Sequence, residues 1–354
     1  MAQKVINAKR NPIYDIAKEI CILFVVAGHC NAPMHNFYTS FHVLFFFILA
    51  GMFFNEQSVN TFNLLKQYII KIWKRYAKPY ILCNLSFLLF YNLFIKYYLI
   101  TVDPRLNSSI NYLTTNEIAI KALKHITLVS SSEILCGATW FLKSLFWGLL
   151  SLAFLNYILN SLKIKKTYIY FVLIFLCEIA LFYFSPQYYR LIFYYAQTFL
   201  FLLLGELIKN FTNINQKNSF ILFILTSLTI FGINNLVAIN FIKIPLLGIF
   251  GFYFVLSLSI IIQKYSKLLN KIFEYVGQHT ISILCLHFLA FKIVTYFIII
   301  YNSYNLRLLG SFPVLTSTKL LLSILYLVGG ITIPLLIEIL NKNFKYIKAR
   351  VRNG

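Results

Sequence analysis

Charge is scarce in this chain. Asp, Glu, Lys and Arg make up 12% of its 354 residues, against roughly one quarter in an ordinary soluble domain, and that shortage excludes a conventional water-facing surface. Glycine and alanine are thin beside Asn, Lys, Ile, Phe and Tyr, a bias we read as that of an AT-rich genome, without mechanistic content. No CxxC pair occurs, and no Cys/His pair has metal-ligand spacing. The six cysteines, at 21, 30, 83, 136, 177 and 285, therefore read as small buried hydrophobes, and no metal is expected. No internal repeat is evident, which weighs against an inverted-repeat transporter. The first apolar run lacks a small-residue cleavage site and a second run follows at once, so it reads as a retained helix.

What is present is apolar length. Hydrophobic residues reach 60% and the mean hydropathy is +0.75. Runs of about 17 to 25 apolar residues fit a bilayer roughly 30 Å thick. The expected fold is all-α: one polytopic transmembrane bundle of about ten helices over residues 1–354, with no separate soluble domain. The predicted spans are Ile13–Cys30, Phe41–Phe54, Tyr80–Ile100, Thr139–Leu159, Tyr168–Phe184, Leu191–Ile208, Ser219–Ile233, Ile244–Ile262, Thr280–Ile300 and Lys319–Leu340. Phe41–Phe54 and Ser219–Ile233 are short for full spans, so tilt, extension or cover by protein is expected there.

The net charge of +22 would suggest nucleic acid in a soluble protein, but here Lys and Arg sit in short segments between apolar runs. Alternating sides from a cytoplasmic N-terminus places 21 basic residues inside and 7 outside, with Lys18, Lys96, Lys143 and Lys292 within helices. The inside set includes Lys4, Lys9 and Arg10; the outside set includes Arg105, Arg190 and Lys319. Both termini are therefore expected in the cytoplasm, most simply of a bacterial plasma membrane, with lipid rather than nucleic acid as the partner.

Two connections exceed simple turns. Within Asn55–Lys78, the segment near residues 59–78 places Phe62, Leu65, Ile69, Ile72 and Trp73 at helical spacing among basic residues, the pattern of an amphipathic helix at the inner interface. The outer stretch Thr101–Ala138 is rich in Ser, Thr and Asn and is expected to cap or overhang the outer mouth.

Ionisable groups inside a membrane span are costly unless paired or hydrated, which makes them functional candidates. Asp15, Lys18 and Glu19 lie within one turn of the first helix. They are either a functional ion pair or a cluster snorkelling at the helix end. His29 follows Gly28, 14 residues past Asp15, about 21 Å along the axis. A neutral imidazole there can take a proton from a hydroxyl, or simply hydrogen-bond to a loop. His42 opens the next helix and returns a second imidazole to nearly the same depth, while His35 in the turn is expected to face solvent. His287 is a third buried imidazole, expected to pack against a polar group of the bundle; His125 and His279 fall in predicted loops and receive no role.

These residues resemble the membrane acyltransferases of the acyltransferase 3 type, which O-acylate sugars and cell-surface polysaccharides. The resemblance rests on YDIAKEICILFVVAGHC from Tyr14, FHVLFFFILAGMFF from Phe41, KIWKRYAKPY from Lys71, Trp140-Phe141-Leu142, and ILCLH ending at His287. It implies that His29 is the catalytic base. It also places Lys18 where the family commonly carries Arg, and assigns the acyl-CoA donor to basic residues matched by Lys71, Lys74 and Arg75. Lys18 lacks the forked geometry of Arg. Val43-Leu44 and Ala50 also depart from the usual Met-Pro and Ser.

The expected activity is transfer of an acyl group, acetyl by family precedent, from cytoplasmic acyl-CoA to a hydroxyl of a cell-surface or lipid-linked carbohydrate. His29 acts as base, His42 orients it or steadies the oxyanion, and Asp15 with Lys18 organises the inner tunnel. The rival reading is a flippase or exporter of a lipid-linked sugar or other amphiphile, which would call for inverted repeats or paired broken helices.

Overall fold

The computed structural model describes residues 11–101, 110–184, 190–212, 214, 217–237, 240–315 and 320–352. Lys4, Lys9, Arg10, Arg105 and Lys319 of the charge count lie outside the described residues, as do the side chains of Arg190 and residues 342–352. Every regular element among the described residues is a helix. The first half holds α1 (Pro12–His29), α2 (His35–Thr39), α3 (His42–Met52), α4 (Phe62–Ile72), a π-helical turn (Trp73–Ala77), α5 (Lys78–Leu89), α6 (Tyr91–Lys96) and α7 (Thr115–Ile126). The second half holds α8 (Trp140–Ser161), α9 (Lys166–Tyr183), α10 (Arg190–Ile208), α11 (Ser219–Leu236), α12 (Asn240–Tyr265), α13 (Lys267–Gln278), α14 (Thr280–Tyr301) and α15 (Leu320–Arg352).

Among the described residues, seven helices are long and apolar enough to cross a membrane: α8 with its preceding turn, α9, α10, α11, α12, α14 and α15. The chain is thus a multi-pass membrane protein. In α8 and α14, 61% of the span is buried, against 17% in α9 and 22% in α11. The first pair is therefore central, and the second pair presents its apolar side chains outward, as a lipid-facing rim requires.

α1 starts where Asn11 accepts the Ile13 N–H (3.1 Å) and Pro12, which has no N–H to satisfy, takes the first helical position. It packs against α3, α12, α13, α14 and α15, and its interior side chains from Ile16 to Ala27 are largely buried. α3 has only 11 residues, but 8 of them are buried. Protein rather than lipid covers it, which is how so short an apolar helix is accommodated. The predicted Ser219–Ile233 run extends to Leu236 as an 18-residue α11.

α3 and α10 cross at glycines. A Cβ on Gly51 would stand 2.1 Å from the Leu202 carbonyl oxygen, and one on Gly205 would stand 2.1 Å from that of Ile48. A helix backbone approaches the partner's carbonyl this closely only where the residue facing it has no side chain.

The predicted helix Tyr80–Ile100 is interrupted at Phe90, between α5 and α6, and ends in a turn with Tyr98 at φ 62°. Asn92 explains the departure: its side chain accepts the Leu113 N–H (2.9 Å) and donates to the Leu113 carbonyl (2.8 Å), clamping the long connection against α6. Beyond it, Thr114 and Glu117 form a reciprocal capping box that starts α7. At the far end of α7, His125 is fully buried. Its Nδ1 lies 3.2 Å from the Tyr80 hydroxyl and its Nε2 lies 2.8 Å from Glu133. Lys121 also reaches Glu133, and Tyr80 donates to the Ser130 carbonyl (2.9 Å). The described part of Thr101–Ala138 is thus a folded cap, held by a polar network under it.

Gly51→Leu or Gly205→Leu should cost at least about 2 kcal/mol, since the overpacked crossing must open. Gly232→Ala on α11, where nothing lies within 4 Å of a new Cβ, should be neutral or raise stability by up to about 1 kcal/mol. Thermal midpoints of detergent-solubilised variants test the contrast. Burial pushes the Glu133 carboxyl up, but the His125 hydrogen bond and the Lys121 charge outweigh it and hold it below the usual range. Its stabilisation is therefore present above the ordinary carboxylate pKa and lost as pH falls through the depressed value. Hydrogen exchange of residues 110–133 should rise on acidification in the parent. Glu133→Gln should already exchange faster at about pH 7 and show a flatter acid response.

Candidate active site

α1 ends at the site. His29 occupies its last turn, and the α1–α2 turn brings the chain back so that α3 opens with His42. Gly28 sits tight under Thr39, whose methyl would lie 3.0 Å from an added Cβ. The exposed His35 donates from Nε2 to the Gly28 carbonyl (3.1 Å), closing the turn over the end of α1.

Hydrogen bonding sets the tautomer of two imidazoles. His42 Nδ1 donates to the Tyr38 carbonyl (2.9 Å), which leaves Nε2 with a free lone pair in the neutral ring. His287 on α14 repeats the device: Nδ1 donates to the Ile283 carbonyl (2.9 Å), and Nε2 has no partner among the described residues. The rings of His29 and His287 lie 5.5 Å apart at 24°, and Phe288 lies 4.7 Å from His29. The polar group beside His287 is therefore His29 itself.

Two cavities meet at His29. The first, about 210 Å³, reaches Lys18, Lys71 and Arg75 at one end and His29 and His42 at the other. Tyr68, Tyr76, Phe46 and Phe141 form much of its wall, and no carboxylate lines it among the described residues. The second, about 770 Å³, is lined by Thr101, Ile110 and Val129 and by the loop at Gly310–Pro313. His29, Ala138 and Trp140 line both.

α8 partitions the two spaces. Phe141, Leu142 and Leu145 face the first cavity, while Lys143, Ser144 and Trp147 face the second. With Trp140, the latter set occupies one stripe of the helix at spacings of three, four and seven residues. The start of α8 is fixed by Asn84, which is fully buried in α5. Its Oδ1 accepts the Glu133 N–H (2.7 Å) and its Nδ2 donates to Thr139 Oγ1 (3.0 Å), so the turn Ile134–Thr139 is tied to α5. Trp140 follows directly and lies tilted against Tyr194 of α10, 4.4 Å between ring centroids.

The structure brings together most of the residues singled out from sequence. Asp15 is buried and ion-paired to Lys18, which faces the first cavity. Glu19 is also buried, with its Oε2 lacking a hydrogen bond among the described residues. Lys71 and Arg75 line the mouth. Lys74 is exposed and does not. The π-helical turn at residues 73–77 lies next to this mouth and shifts the register between Lys71 and Arg75. Sequence reasoning gave no role to Lys143 and did not pair His287 with His29. The signal for Lys143 was present: an ionisable residue inside an apolar run, on a stripe shared with Trp140, Ser144 and Trp147.

The comparisons with known proteins give one match. A family model described as an acyltransferase domain, of the acyltransferase 3 type, aligns with residues 11–339, nearly the whole chain. Searches of curated proteins and of solved structures found no significant match. The matched region runs from the Asn11 cap of α1 into α15 and so contains both cavities and all three imidazoles. This chain belongs to the acyltransferase 3 family and is a multi-pass membrane protein built on an acyltransferase domain.

Proposed function

We propose that the protein is a membrane O-acyltransferase that moves an acyl group, acetyl in the simplest case, from acyl-CoA to a hydroxyl of a cell-surface or lipid-linked carbohydrate. The observation that carries this reading is the junction at His29 of two cavities of different character. The one with three cations at its mouth suits the phosphates of the donor, and the wider one, with indole, phenol and hydroxyl groups on its wall, suits a sugar. Lys18 and His29 are 11 residues apart on α1, about 16 Å along the helix. A cavity spanning that interval lets a donor anchored at the mouth bring its thioester to the imidazoles without crossing lipid or packed side chains.

The chemistry at the junction is acyl exchange between sulfur and oxygen. His29 takes the proton of the acceptor hydroxyl as its oxygen attacks the thioester carbonyl. The tetrahedral centre then collapses, the carbon–sulfur bond breaks, and the CoA thiolate takes the proton back from the imidazolium. His42 and His287, each with Nδ1 committed to a backbone carbonyl, flank His29 as positioning groups. Asp15 holds Lys18 toward the donor mouth.

The matching topology has ten spans, the seven long helices plus α1, α3 and the α5–α6 segment, with both termini on the donor side in the cytoplasm. The excess of 21 basic residues over 7 supports that orientation, and it places the acceptor cavity toward the outer face. The flippase reading has less support, because a translocation path does not call for a cation-mouthed pocket ending on clustered imidazoles.

The test uses the purified full chain with radiolabelled acetyl-CoA and a panel of surface glycans. His29→Ala should lower transfer by about 100-fold to 10,000-fold. Lys71→Gln combined with Arg75→Gln should raise the donor KM about tenfold, with a smaller effect on kcat. Transfer that survives His29→Ala removes the base assignment, and absence of transfer with every donor moves weight to the exporter.

A further inference from the structure

Two lysines are buried in the central helices, and they are satisfied differently. Lys292 on α14 donates to the carbonyls of Leu309 (2.9 Å) and Ser311 (2.6 Å) and lies over the Phe312 ring. It is a pin for the loop at residues 306–315, and its donors are largely spent. Lys143 on α8 is only 7% exposed and donates to one carbonyl, that of Ser130 (2.6 Å), with the Tyr80 ring 5.8 Å away. An ammonium carries three N–H groups. Lys143 makes no ion pair among the described residues, although Glu133 lies nearby in the chain and is engaged by His125 and Lys121.

The position of Lys143 gives the remaining donors a direction. It lines the second cavity together with Ser144, Trp140 and Trp147 of the same helix. Apart from His29 it is the only Lys, Arg, His, Asp or Glu among the described residues lining that space. A cation held in an apolar bundle without a carboxylate is expensive unless a ligand supplies the anion, and the excess positive charge of the chain adds to the attraction for one.

We propose that the second cavity selects an anionic sugar, with Lys143 receiving its carboxylate or phosphate while the aromatic side chains of Trp140, Trp147 and Tyr194 carry the apolar faces of the ring. Lys143 is then a specificity determinant that touches the acceptor, and the charge sets the sugar's orientation toward His29. The proposal rests on the preceding reading only in taking this cavity as the acceptor side.

Binding tests it without requiring turnover. The full chain in nanodiscs is titrated by tryptophan fluorescence, since Trp140 and Trp147 line the cavity. The probes are trigalacturonic acid against its methyl ester, and glucose 6-phosphate against glucose. The parent should bind at least one charged probe about tenfold or more tightly than its neutral partner. Preference in the first pair identifies a carboxylate, and preference in the second identifies a phosphate. Lys143→Gln should erase the preference by weakening only the charged probe, and Lys143→Arg should retain it, with thermal midpoints confirming that both variants fold. The readout is equilibrium binding in the absence of any acyl donor, so a failure of acyl transfer and a failure of this site give different results. The proposal is overturned if the parent binds charged and neutral probes alike or binds neither. It is equally overturned if Lys143→Gln preserves the preference or weakens both members of a pair to the same extent.

Discussion

An ionisable or polar side chain inside an apolar bundle must be met by a carbonyl, a carboxylate, another ring or a cavity that admits water and ligand. The architecture around His29 follows from that demand. His42 and His287 each give one ring nitrogen to the backbone carbonyl four residues earlier, Asp15 takes Lys18, and Lys292 takes two loop carbonyls. What is left over, the second nitrogens of the imidazoles and the spare donors of Lys143, marks the space where chemistry can occur. The cavities lie where the protein has not completed its own hydrogen bonding.

Packing then decides that this space stays open. α1 and α3 are anchored by close backbone approaches, Gly51 to α10 and Gly277 of α13 to the Asp15 carbonyl, where an added Cβ would lie only 2.0 Å away. With both helices held, His29 and His42 keep their depth. α8 forms the divider, and Asn84 fixes where it begins. Its two faces line two cavities, so the same helix separates the narrower space from the wider one while Trp140 touches both. At the other end, Glu56 and Glu206 share Lys166 and Lys209, tying the loop after α3 to α9 and α10. That cluster holds the rim without entering either cavity.

Parts of the fold were legible because membrane helices announce themselves by length and hydropathy. α9, α10 and α14 match their predicted runs closely, since an unbroken apolar segment has no alternative in lipid, while α15 begins as predicted and runs on past Leu340 to Arg352. Tyr80–Ile100 did not, because hydropathy is blind to the Asn92–Leu113 clamp that breaks it. Thr101–Ala138 read as a polar connection, yet its second half is built on a capped helix and a buried His125–Glu133 pair. Those contacts join residues distant in sequence and leave no periodic signal. In the site, the intervals between Asp15, Lys18 and His29 were readable on one helix. The approach of His287 to His29 depends on how α14 packs against α1 and was not.

The sequence by itself determined an apolar helical bundle, its family, the asymmetry of its basic residues and the identity of the α1 imidazole, because composition, local periodicity and short motifs are properties of contiguous chain. Only the tertiary structure decided that His29 stands at the meeting of two cavities, that Lys74 stays outside while Lys71 and Arg75 enter the mouth, and that Lys143 faces the wider cavity. The physical reason is that a cavity wall is assembled from helices far apart in sequence, and which face each turns inward is settled by close packing and by the hydrogen bonds buried polar groups must find.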